Sequence, residues 1–311
     1  MKNKDLISIV VPVYGEKKLV KMLYESLLAS LSKMEINFEI IMVNDACPYG
    51  SGEEIEKLAN ADKRVKFIDL SRNFGQHYAI KAGIDNANGD WVVVMDCDLQ
   101  DNPEDISRFY EKTKEGYDIV FGERKERIDS AFKKFLSKAY FFVANRLTDF
   151  HYTQNIGNFS IISKKVAQEI KKINTYNFAY YSIVSWLGFK VGYVDIKKDE
   201  RATGKSNYNI YKGLKLALSS IISNSNKPLV FAAYCAFILF LFCLFFVIKL
   251  VVDYYLFSKP LLGWTSIMVS IFFIGGLVFA YLGVLGLYIG GIFQEVKNRA
   301  LYVVKKTINL D

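Results

Sequence analysis

The chain has 311 residues, is 51% hydrophobic and 23% charged, and carries a formal net charge of +8 at pH 7. This length accommodates one large α/β domain with an appendage, and the positive charge favours an anionic partner, either nucleic acid or an anionic membrane surface. Two histidines and four cysteines without a Cys-x-x-Cys pair argue against a zinc site, so the cysteines are predicted to be small buried residues in a reducing compartment.

Strands and helices are predicted to alternate through the first hundred residues. A β-branched run at residues 7–13 predicts a strand, and a stripe of leucines with Met22 predicts a helix over 18–31. Further strands are predicted at 38–43, 65–70 and 91–95, with a short helix after Gly52 and another at 76–86. This alternation indicates a mostly parallel sheet with helices on both faces, the α/β class. The first apolar run is too short to be a signal peptide.

Acidic or polar side chains follow three of these predicted strands. Glu16 follows the first, Asp45 the second, and Asp96, Asp98 and Gln100 the run at 91–95. Because ligands of open α/β sheets bind beyond the carboxyl ends of strands, we expect the three clusters to meet at one crevice. The oxygens of the last cluster suit Mg²⁺ or Mn²⁺ carrying phosphates. Taken alone, that cluster also fits a solvated acidic loop that caps the next helix.

The region from 118 to 197 predicts two more strands, at 118–121 and 190–197, and two more helices, at 131–146 and 180–187. The helix at 131–146 is apolar and aromatic on nearly all sides, so it is expected either in the core or against lipid. Arg124 follows the strand at 118–121, on the side expected for the crevice. A guanidinium there suits contact with phosphate oxygens, whereas the neighbouring charges are expected on a solvated surface.

Two long uncharged runs, at residues 229–248 and 260–294, come after this region. Transmembrane helices are predicted at about 229–252 and 264–292. They would be preceded by an interfacial helix within 208–227, which packing on the α/β domain would also explain, and followed by a tail at 297–311. Lysines and arginines cluster before the first run and after the second, so the positive-inside rule places both chain ends in the cytoplasm. Lysines beside membrane spans also argue against nucleic acid as the partner.

Small residues recur at three- and four-residue spacings in the second uncharged run: Gly276, Ala280, Gly283, Gly286 and Gly290. Spacing of this kind favours close packing of helices in a membrane. It predicts helix contacts either within a hairpin or between the protomers of a homo-oligomer.

Five motifs occur in a fixed order: VPVYGE (11–16), VNDA (43–46), LSRNFG (70–75), AGIDNANGD (82–90) and DCDLQDNPE (96–104). Together they resemble the family 2 glycosyltransferases of the GT-A fold. Within that family the chain is similar to the polyprenyl-phosphate glycosyltransferases related to dolichyl-phosphate mannose synthase and to bacterial glucosyl- and aminoarabinosyl-undecaprenyl-phosphate synthases. The resemblance covers almost the whole chain. It implies a Rossmann-like GT-A catalytic domain at 1–207, with a mostly parallel sheet, followed by a two-helix transmembrane hairpin within 228–296.

The resemblance also implies a role for each cluster. Asp96, Asp98 and Gln100 would bind Mg²⁺ or Mn²⁺ together with the diphosphate of a nucleotide. The residues implied for the base and ribose are Pro12, Val13, Tyr14, Glu16 and Asp45. The sequence RATGKS at 201–206 resembles the phosphate-binding loop of the family. Contacts with phosphate or acceptor are therefore implied for Arg124, Arg201, Lys205 and Ser206.

One motif departs from the family pattern. Many relatives read Gly-Asp-Phe-Arg where this chain has Gly157-Asn158-Phe159-Ser160, and the aspartate is the usual candidate for a catalytic base. An amide cannot take up the proton. The second pKa of a phosphate monoester is about 6, so a phosphate acceptor is already largely ionised at neutral pH. We therefore expect Asn158 to orient an acceptor or sugar oxygen, with positioning and charge neutralisation providing the catalysis.

The activity implied is an inverting, metal-dependent transfer of a sugar from a nucleotide diphosphate sugar, with UDP as the expected nucleotide. The expected acceptor is a polyprenyl phosphate, in bacteria undecaprenyl phosphate, at the cytoplasmic face of a multi-pass protein of the inner membrane. The residues expected to carry catalysis are Asp96, Asp98, Arg124, Asn158 and Arg201.

Two other functions are compatible with the sequence. The first is a transferase to another lipid or glycan acceptor, although a processive synthase is disfavoured because no Gln-x-x-Arg-Trp stretch occurs and only two spans are predicted. The second is a catalytically silent membrane scaffold of the same fold. Asn158 favours the scaffold, whereas the complete set of Asp96, Asp98 and Gln100 argues against it.

Overall fold

The computed structural model describes residues 4–15, 17–124, 146, 155–197, 227–257 and 263–310. The chain divides into two units. The first consists of Met1–Phe141, Tyr152–Asn207 and Arg299–Asp311, and the second of Phe142–His151 and Tyr208–Asn298. The predicted interfacial helix and all but one residue of the predicted helix at 131–146 lie outside the described residues.

The first unit confirms the predicted alternation of strands and helices, with small shifts at their ends. Met22 is an exception to the predicted apolar stripe of the first helix, because it is exposed while the leucines at four-residue spacing are buried. The strands are β1 Leu6–Val13, β2 Asn37–Asn44, β3 Val65–Leu70, β4 Trp91–Val94, β5 Ile119–Arg124, β6 Ile156–Ser163, β7 Val191–Ile196 and β8 Val304–Ile308. The helices are α1 Lys17–Leu31, α2 Ser51–Ala61, α3 Gln76–Asp85, α4 Asp105–Thr113, α5 Lys164–Lys172 and α6 Tyr180–Trp186.

These strands form one mostly parallel sheet in the order β7-β5-β6-β4-β1-β2-β3-β8. Strands β1 to β5 and β7 run in one direction, and only β6 and β8 among the described strands run the other way. The carboxyl ends of β1, β2, β4 and β5 therefore share one edge. Because β6 is antiparallel to β4 and β5, its first residues lie at that same edge.

Helices cover both faces of the sheet, which explains why its central strands are continuous apolar runs. Side chains of α1, α2 and α4 pack on one face, and those of α3, α5 and α6 on the other. Burial of each aliphatic side chain contributes roughly 1.5–3 kcal/mol. Helix α3 packs tightly against the sheet: a Cβ added at Gly83 would be 2.3 Å from Val10 Cγ1, so only glycine fits there. This contact sets α3 against β1, with the start of the helix at the carboxyl edge.

Strand β8 belongs to the segment 297–311, for which the sequence predicts only a cytoplasmic tail. It pairs antiparallel with β3, with Ile308 opposite Phe67. The Asn309 side-chain amide donates hydrogen bonds to the carbonyls of Ala59 (2.6 Å) and Val65 (2.8 Å). The chain thus returns to the first unit after the second unit and completes the edge of its sheet.

The second unit contains two long helices, α7 Lys227–Phe257 and α8 Trp264–Val296, which include the stretches predicted at 229–252 and 264–292. Within the described part of the chain, one stretch is long and apolar enough to cross a membrane: Phe273–Val296, 24 residues with a mean hydropathy of 2.0. At 1.5 Å per residue it is about 36 Å long, against about 30 Å for a bilayer core. The apolar stretch Lys227–Phe242 is shorter.

Candidate active site

The carboxyl edge of the sheet brings together most of the described residues that the sequence singled out. Tyr14 directly follows β1, Asp45 follows β2 and Asp96 lies just beyond β4. Arg124 is the last residue of β5, and Asn158 is the third residue of the antiparallel β6. The structure therefore confirms that these side chains belong to one edge. Glu16, Arg201, Lys205 and Ser206 lie outside the described residues.

The acidic loop after β4 makes a tight turn between its two aspartates and its glutamine. Leu99 has a φ of +58°, in the left-handed region that non-glycine residues seldom adopt. A backbone outlier of this kind costs about 1–3 kcal/mol and is found preferentially at functional sites. The Asp98 carboxylate accepts a hydrogen bond from the Gln100 N–H at 3.2 Å, which stabilises the turn. Gln100 is buried.

Asp96 is held from the neighbouring helix. The side-chain amide of Gln76, the first residue of α3, donates a hydrogen bond to Asp96 Oδ1 at 2.6 Å. Burial, with the nearby charges of Asp101 and Asp98, raises the pKa of Asp96 to about 7, although Arg124 and Gln76 act in the opposite direction. The carboxylates of Asp98 and Asp101 thus lie close enough to Asp96 to disfavour its ionised form. Such a cluster is one that a cation would stabilise.

The donor set fits a hard divalent cation bound with its substrate. Among the described residues, no three His, Cys, Asp or Glu side chains form a metal-binding group. Asp96 and Asp98 would provide two carboxylates and Gln100 an amide oxygen. Mg²⁺ is usually held by one or two carboxylates while phosphate oxygens and water fill its other positions, and two carboxylates with one amide oxygen are a donor set of that kind.

Arg124 forms a buried ion pair with Asp101. Its Nη2 lies 2.6 Å from Asp101 Oδ1, and the Asp101 side chain is only 1% exposed. The guanidinium lies over Gly157, where an added Cβ would be 3.6 Å from Arg124 Cζ, and the Arg124 N–H donates to the Asn155 carbonyl at 3.0 Å. Among the described residues, Arg124 Nε is the one buried side-chain nitrogen or oxygen without a hydrogen-bond partner. The pair fixes the position of the Arg124 guanidinium near Asp96, with its charge largely balanced by Asp101.

Asp45 organises the loop that leads into α3. It is 2% exposed, and its two carboxylate oxygens accept hydrogen bonds from the N–H groups of Phe74 (2.7 Å) and Gly75 (2.8 Å). Gly75 has a φ of +106°, which glycine adopts without strain. The next residue is Gln76. Asp45 at the end of β2 is thus linked through this loop to Asp96 at the end of β4.

The residues at the end of β1 differ in what they present to a ligand. Pro12 and Val13 are buried, so backbone groups are what they could offer a nucleotide. Tyr14 is 53% exposed, and its ring meets the ring of Tyr49 edge to face, with centroids 6.3 Å apart. Tyr49 lies between β2 and α2 and is 60% exposed.

Asn158 is half-buried next to a buried hydroxyl pair. The main-chain carbonyl of Asn158 accepts a hydrogen bond from Ser160 Oγ at 2.9 Å, and the same hydroxyl lies 2.9 Å from Tyr180 Oη. Burial raises the pKa of Tyr180, so its hydroxyl stays protonated. This hydroxyl pair belongs to β6 and α6, and Ser160 is opposite Val94 in β4. Asn158 is therefore two residues closer to the carboxyl edge than that pairing.

Three residues at this edge were missed as site residues by the sequence analysis: Gln76, Tyr49 and Asp101 as the partner of Arg124. Gln76 is the first residue of the helix that follows β3, so the predicted helix start already placed it near the carboxyl edge of the sheet. The partners of Tyr49 and Asp101 depend on loop geometry, which has no periodic signature.

Comparison with known proteins gives the following matches. The family model described as glycosyl transferase family 2 matches residues 8–171, more than half of the chain. A Bacillus subtilis (strain 168) protein described as uncharacterized glycosyltransferase YkcC is 37% identical over 311 residues, covering 98% of this chain and 94% of that protein. The SfII prophage-derived bactoprenol glucosyl transferase of Shigella flexneri is 33% identical over 302 residues, covering 97% of this chain and 98% of that protein.

Among solved structures, mannosyl-3-phosphoglycerate synthase from Rubrobacter xylanophilus has the same fold. Its TM-score to this chain is 0.53, with 12% sequence identity, and the match covers 71% of this chain and 73% of that one. At this identity the likeness concerns the fold alone, which agrees with the mostly parallel sheet of the first unit.

Proposed function

From the premise that this chain belongs to glycosyl transferase family 2 and is a glycosyltransferase, we propose that it transfers a sugar from a nucleotide diphosphate sugar to a polyprenyl phosphate. The observation that carries this proposal is the acidic loop at the carboxyl edge, with Asp96 held by Gln76 and Arg124 held by Asp101 beside it. Full-length similarity to a protein named as a bactoprenol glucosyl transferase supports a polyprenyl-linked acceptor.

The donor diphosphate would bind at the end of β4. Asp96, Asp98 and Gln100 would hold Mg²⁺ or Mn²⁺, which when bound stabilises the charge of the departing diphosphate. Arg124 would offer guanidinium N–H groups on the β5 side, and because its pairing with Asp101 is already formed, little reorganisation is needed during the reaction. We propose Arg201, Lys205 and Ser206 as further phosphate contacts.

The nucleoside would lie toward β1 and β2. Tyr14 offers an exposed ring to the base, and Pro12 and Val13 offer backbone groups to its edge. Asp45 shapes the neighbouring loop through its bonds to Phe74 and Gly75 and, with Glu16, is proposed to face the ribose. We propose a UDP-sugar as the donor.

The acceptor would approach as an ionised lipid phosphate at the cytoplasmic face of the inner membrane. Its oxygen attacks the anomeric carbon on the side opposite the departing diphosphate, which inverts the configuration. Asn158 would orient the acceptor or a sugar hydroxyl, and an amide is sufficient for this because no proton has to be removed. The apolar stretch Phe273–Val296 supports membrane attachment.

The direct test uses the full chain in detergent with labelled nucleotide sugars, undecaprenyl phosphate and Mg²⁺ or Mn²⁺. A lipid-linked sugar is expected with one nucleotide sugar of the panel, and EDTA is expected to abolish it. Asp98→Ala should reduce turnover by roughly 10²-fold or more, the usual effect of losing one charge-stabilising group. Glu111→Ala, which removes an exposed carboxylate from α4, is the matched control. Product formation unaffected by EDTA and by Asp98→Ala would refute the metal role.

A further inference from the structure

Two tyrosine rings project from the crevice edge where β1 and β2 end. Tyr14 is 53% exposed and Tyr49 is 60% exposed, and they meet edge to face with centroids 6.3 Å apart and ring planes at 75°. Single exposed apolar residues are ordinary on a protein surface. Two exposed aromatic rings that contact each other beside a substrate crevice are a feature that a planar ligand would use.

The two loops that carry these rings are tied together. The Gly15 carbonyl accepts hydrogen bonds from Ser51 Oγ at 2.7 Å and from Cys47 Sγ at 3.2 Å. The Asp45 N–H donates to the Val13 carbonyl at 3.1 Å. These three bonds join the chain on both sides of each tyrosine, so the relative position of the rings is set before a ligand arrives. A prearranged site loses less entropy on binding.

The edge-to-face contact is a favourable aromatic geometry that leaves ring faces open. A nucleobase has π-faces of its own, and stacking of a base on an aromatic side chain is worth about 1–3 kcal/mol whatever the base. A phosphate has no π-face and gains little from such a surface. The position of the pair also fits a nucleotide that runs along the edge. Asp96, proposed for the diphosphate, lies at the end of β4, which pairs with β1 on the side away from β2, and Arg124 lies at the end of β5, further in the same direction.

We propose that Tyr49, together with Tyr14, forms an aromatic clamp that holds the base of the donor nucleotide. Tyr14 is the residue that the family resemblance implies for the base, and Tyr49 is the second ring of the site. The inference rests on the proposed function, since it requires a nucleotide donor. Stacking does not depend on the hydrogen-bonding edge of a base, so the clamp increases the affinity for every nucleoside diphosphate. Selection among the bases would come from the backbone groups at the end of β1.

The test measures binding by titration calorimetry with the full-length protein in detergent and Mg²⁺. Two probes are used: the nucleoside diphosphate that wild type binds most tightly among UDP, GDP, ADP and CDP, and inorganic pyrophosphate, which has no base. Tyr49→Ala should raise the Kd for the nucleoside diphosphate roughly tenfold or more, as expected for the loss of one stacked ring. Its Kd for pyrophosphate should stay unchanged, and Tyr49→Phe should bind both probes like wild type.

Trp186→Ala is the matched control, because Trp186 is another exposed aromatic residue, 62% exposed at the end of α6. It should leave both affinities unchanged. If Tyr49→Ala binds the nucleoside diphosphate as wild type does, the clamp is overturned while the proposed function stands. If its affinities for both probes fall in parallel, Tyr49 acts on the loop and not on the base, which also overturns the clamp. If wild type binds no nucleoside diphosphate, the proposed function is overturned together with it.

Discussion

Gln76 shows how a residue outside the acidic loop controls the geometry of that loop. Its amide is 2.6 Å from Asp96 Oδ1, and its own position depends on Asp45, whose carboxylate accepts the N–H groups of the two residues before it. In the metal site proposed for Asp96, a partner of this kind would orient the ligand, and losing such a partner commonly costs 10- to 100-fold in metal affinity. Asp96 therefore depends on a chain of contacts that starts two strands away.

Replacing this amide gives the first prediction. Gln76→Ala should raise the Mg²⁺ concentration for half-maximal activity by roughly tenfold, because Asp96 loses the bond that orients it. Activity at saturating Mg²⁺ should fall less. Metal titration of the initial rate measures this, with Gln168→Ala on the exposed face of α5 as the control. An unchanged Mg²⁺ concentration for half-maximal activity in Gln76→Ala would contradict a role for Gln76 in orienting Asp96.

Asn158 gives the second prediction at the residue scale. Its position at the carboxyl edge, next to the buried Ser160–Tyr180 pair, fixes the backbone from which its amide projects. Asn158→Ala should lower kcat strongly, by roughly 10²-fold, with little change in donor KM, because it removes a positioning contact. Steady-state kinetics with both substrates measures this, and Asn60→Ala on exposed α2 is the control. Wild-type kcat in Asn158→Ala would contradict the assigned role.

At the scale of elements, α3 is held at both ends. Its first residue contacts the acidic loop, and its last residue, Asp85, accepts a hydrogen bond from Tyr302 Oη at 2.8 Å and pairs with Lys81. Tyr302 belongs to the segment that continues into β8. The segment that follows the second unit thus fixes the helix that carries Gln76.

The third prediction concerns this tyrosine. Tyr302→Phe should lower the free energy of unfolding by about 1–2 kcal/mol, since a hydrogen bond to a charged acceptor is lost. Burial, followed by the charge of Asp85, raises the pKa of Tyr302. Its contribution is therefore fully present below the ordinary tyrosine pKa of about 10, and is lost as pH rises through the higher folded-state value.

Chemical denaturation in detergent at pH 7 and above pH 10 tests this prediction. Tyr193→Phe, on a half-exposed tyrosine of β7, is the control and should have no effect at pH 7. The difference between wild type and Tyr302→Phe should shrink at the higher pH. A difference that is absent at pH 7, or that grows with pH, would contradict the bond as described.

At the scale of the whole molecule, the path of the chain limits how it can meet a membrane. The sheet contains strands from before residue 207 and β8 from after residue 299, and both belong to one folded unit. A folded unit lies on one side of a bilayer, so in the proposed membrane attachment the chain between them would cross an even number of times. If Phe273–Val296 crosses once, α7 is the described helix available for the second crossing.

Cysteine labelling gives the fourth prediction. In a chain without its four natural cysteines, Ser258→Cys should react with a membrane-impermeant maleimide in intact cells. Asn60→Cys on α2 and Asn298→Cys after α8 should react only after lysis, because both belong to the cytoplasmic side in the proposed topology. Equal protection of all three positions in intact cells would contradict two crossings.

The sequence by itself determined the local elements and the positions of the acidic clusters. Apolar runs and the four-residue spacing of leucines depend on neighbours along the chain, so β1 to β4, α1 and α3 could be predicted with nearly correct ends. Helix α2 was predicted without bounds, and β5 was predicted to end at residue 121, three residues before its observed end at Arg124. The direction of the parallel strands then placed Asp45, Asp96 and Arg124 at one edge. The ordered motifs were sufficient for the family, which the full-length relatives confirm.

Only the tertiary structure decided which side chains meet. Strand β8 contains two consecutive lysines, Lys305 and Lys306, and has no apolar alternation, so its place on β3 depends on pairing with a strand more than two hundred residues earlier. The partners of Asp96 and Arg124, and the contact of Tyr14 with Tyr49, join loops that are distant in sequence. Local periodicity contains no information on such contacts, because they follow from how the strands order in the sheet and how each loop turns at its edge.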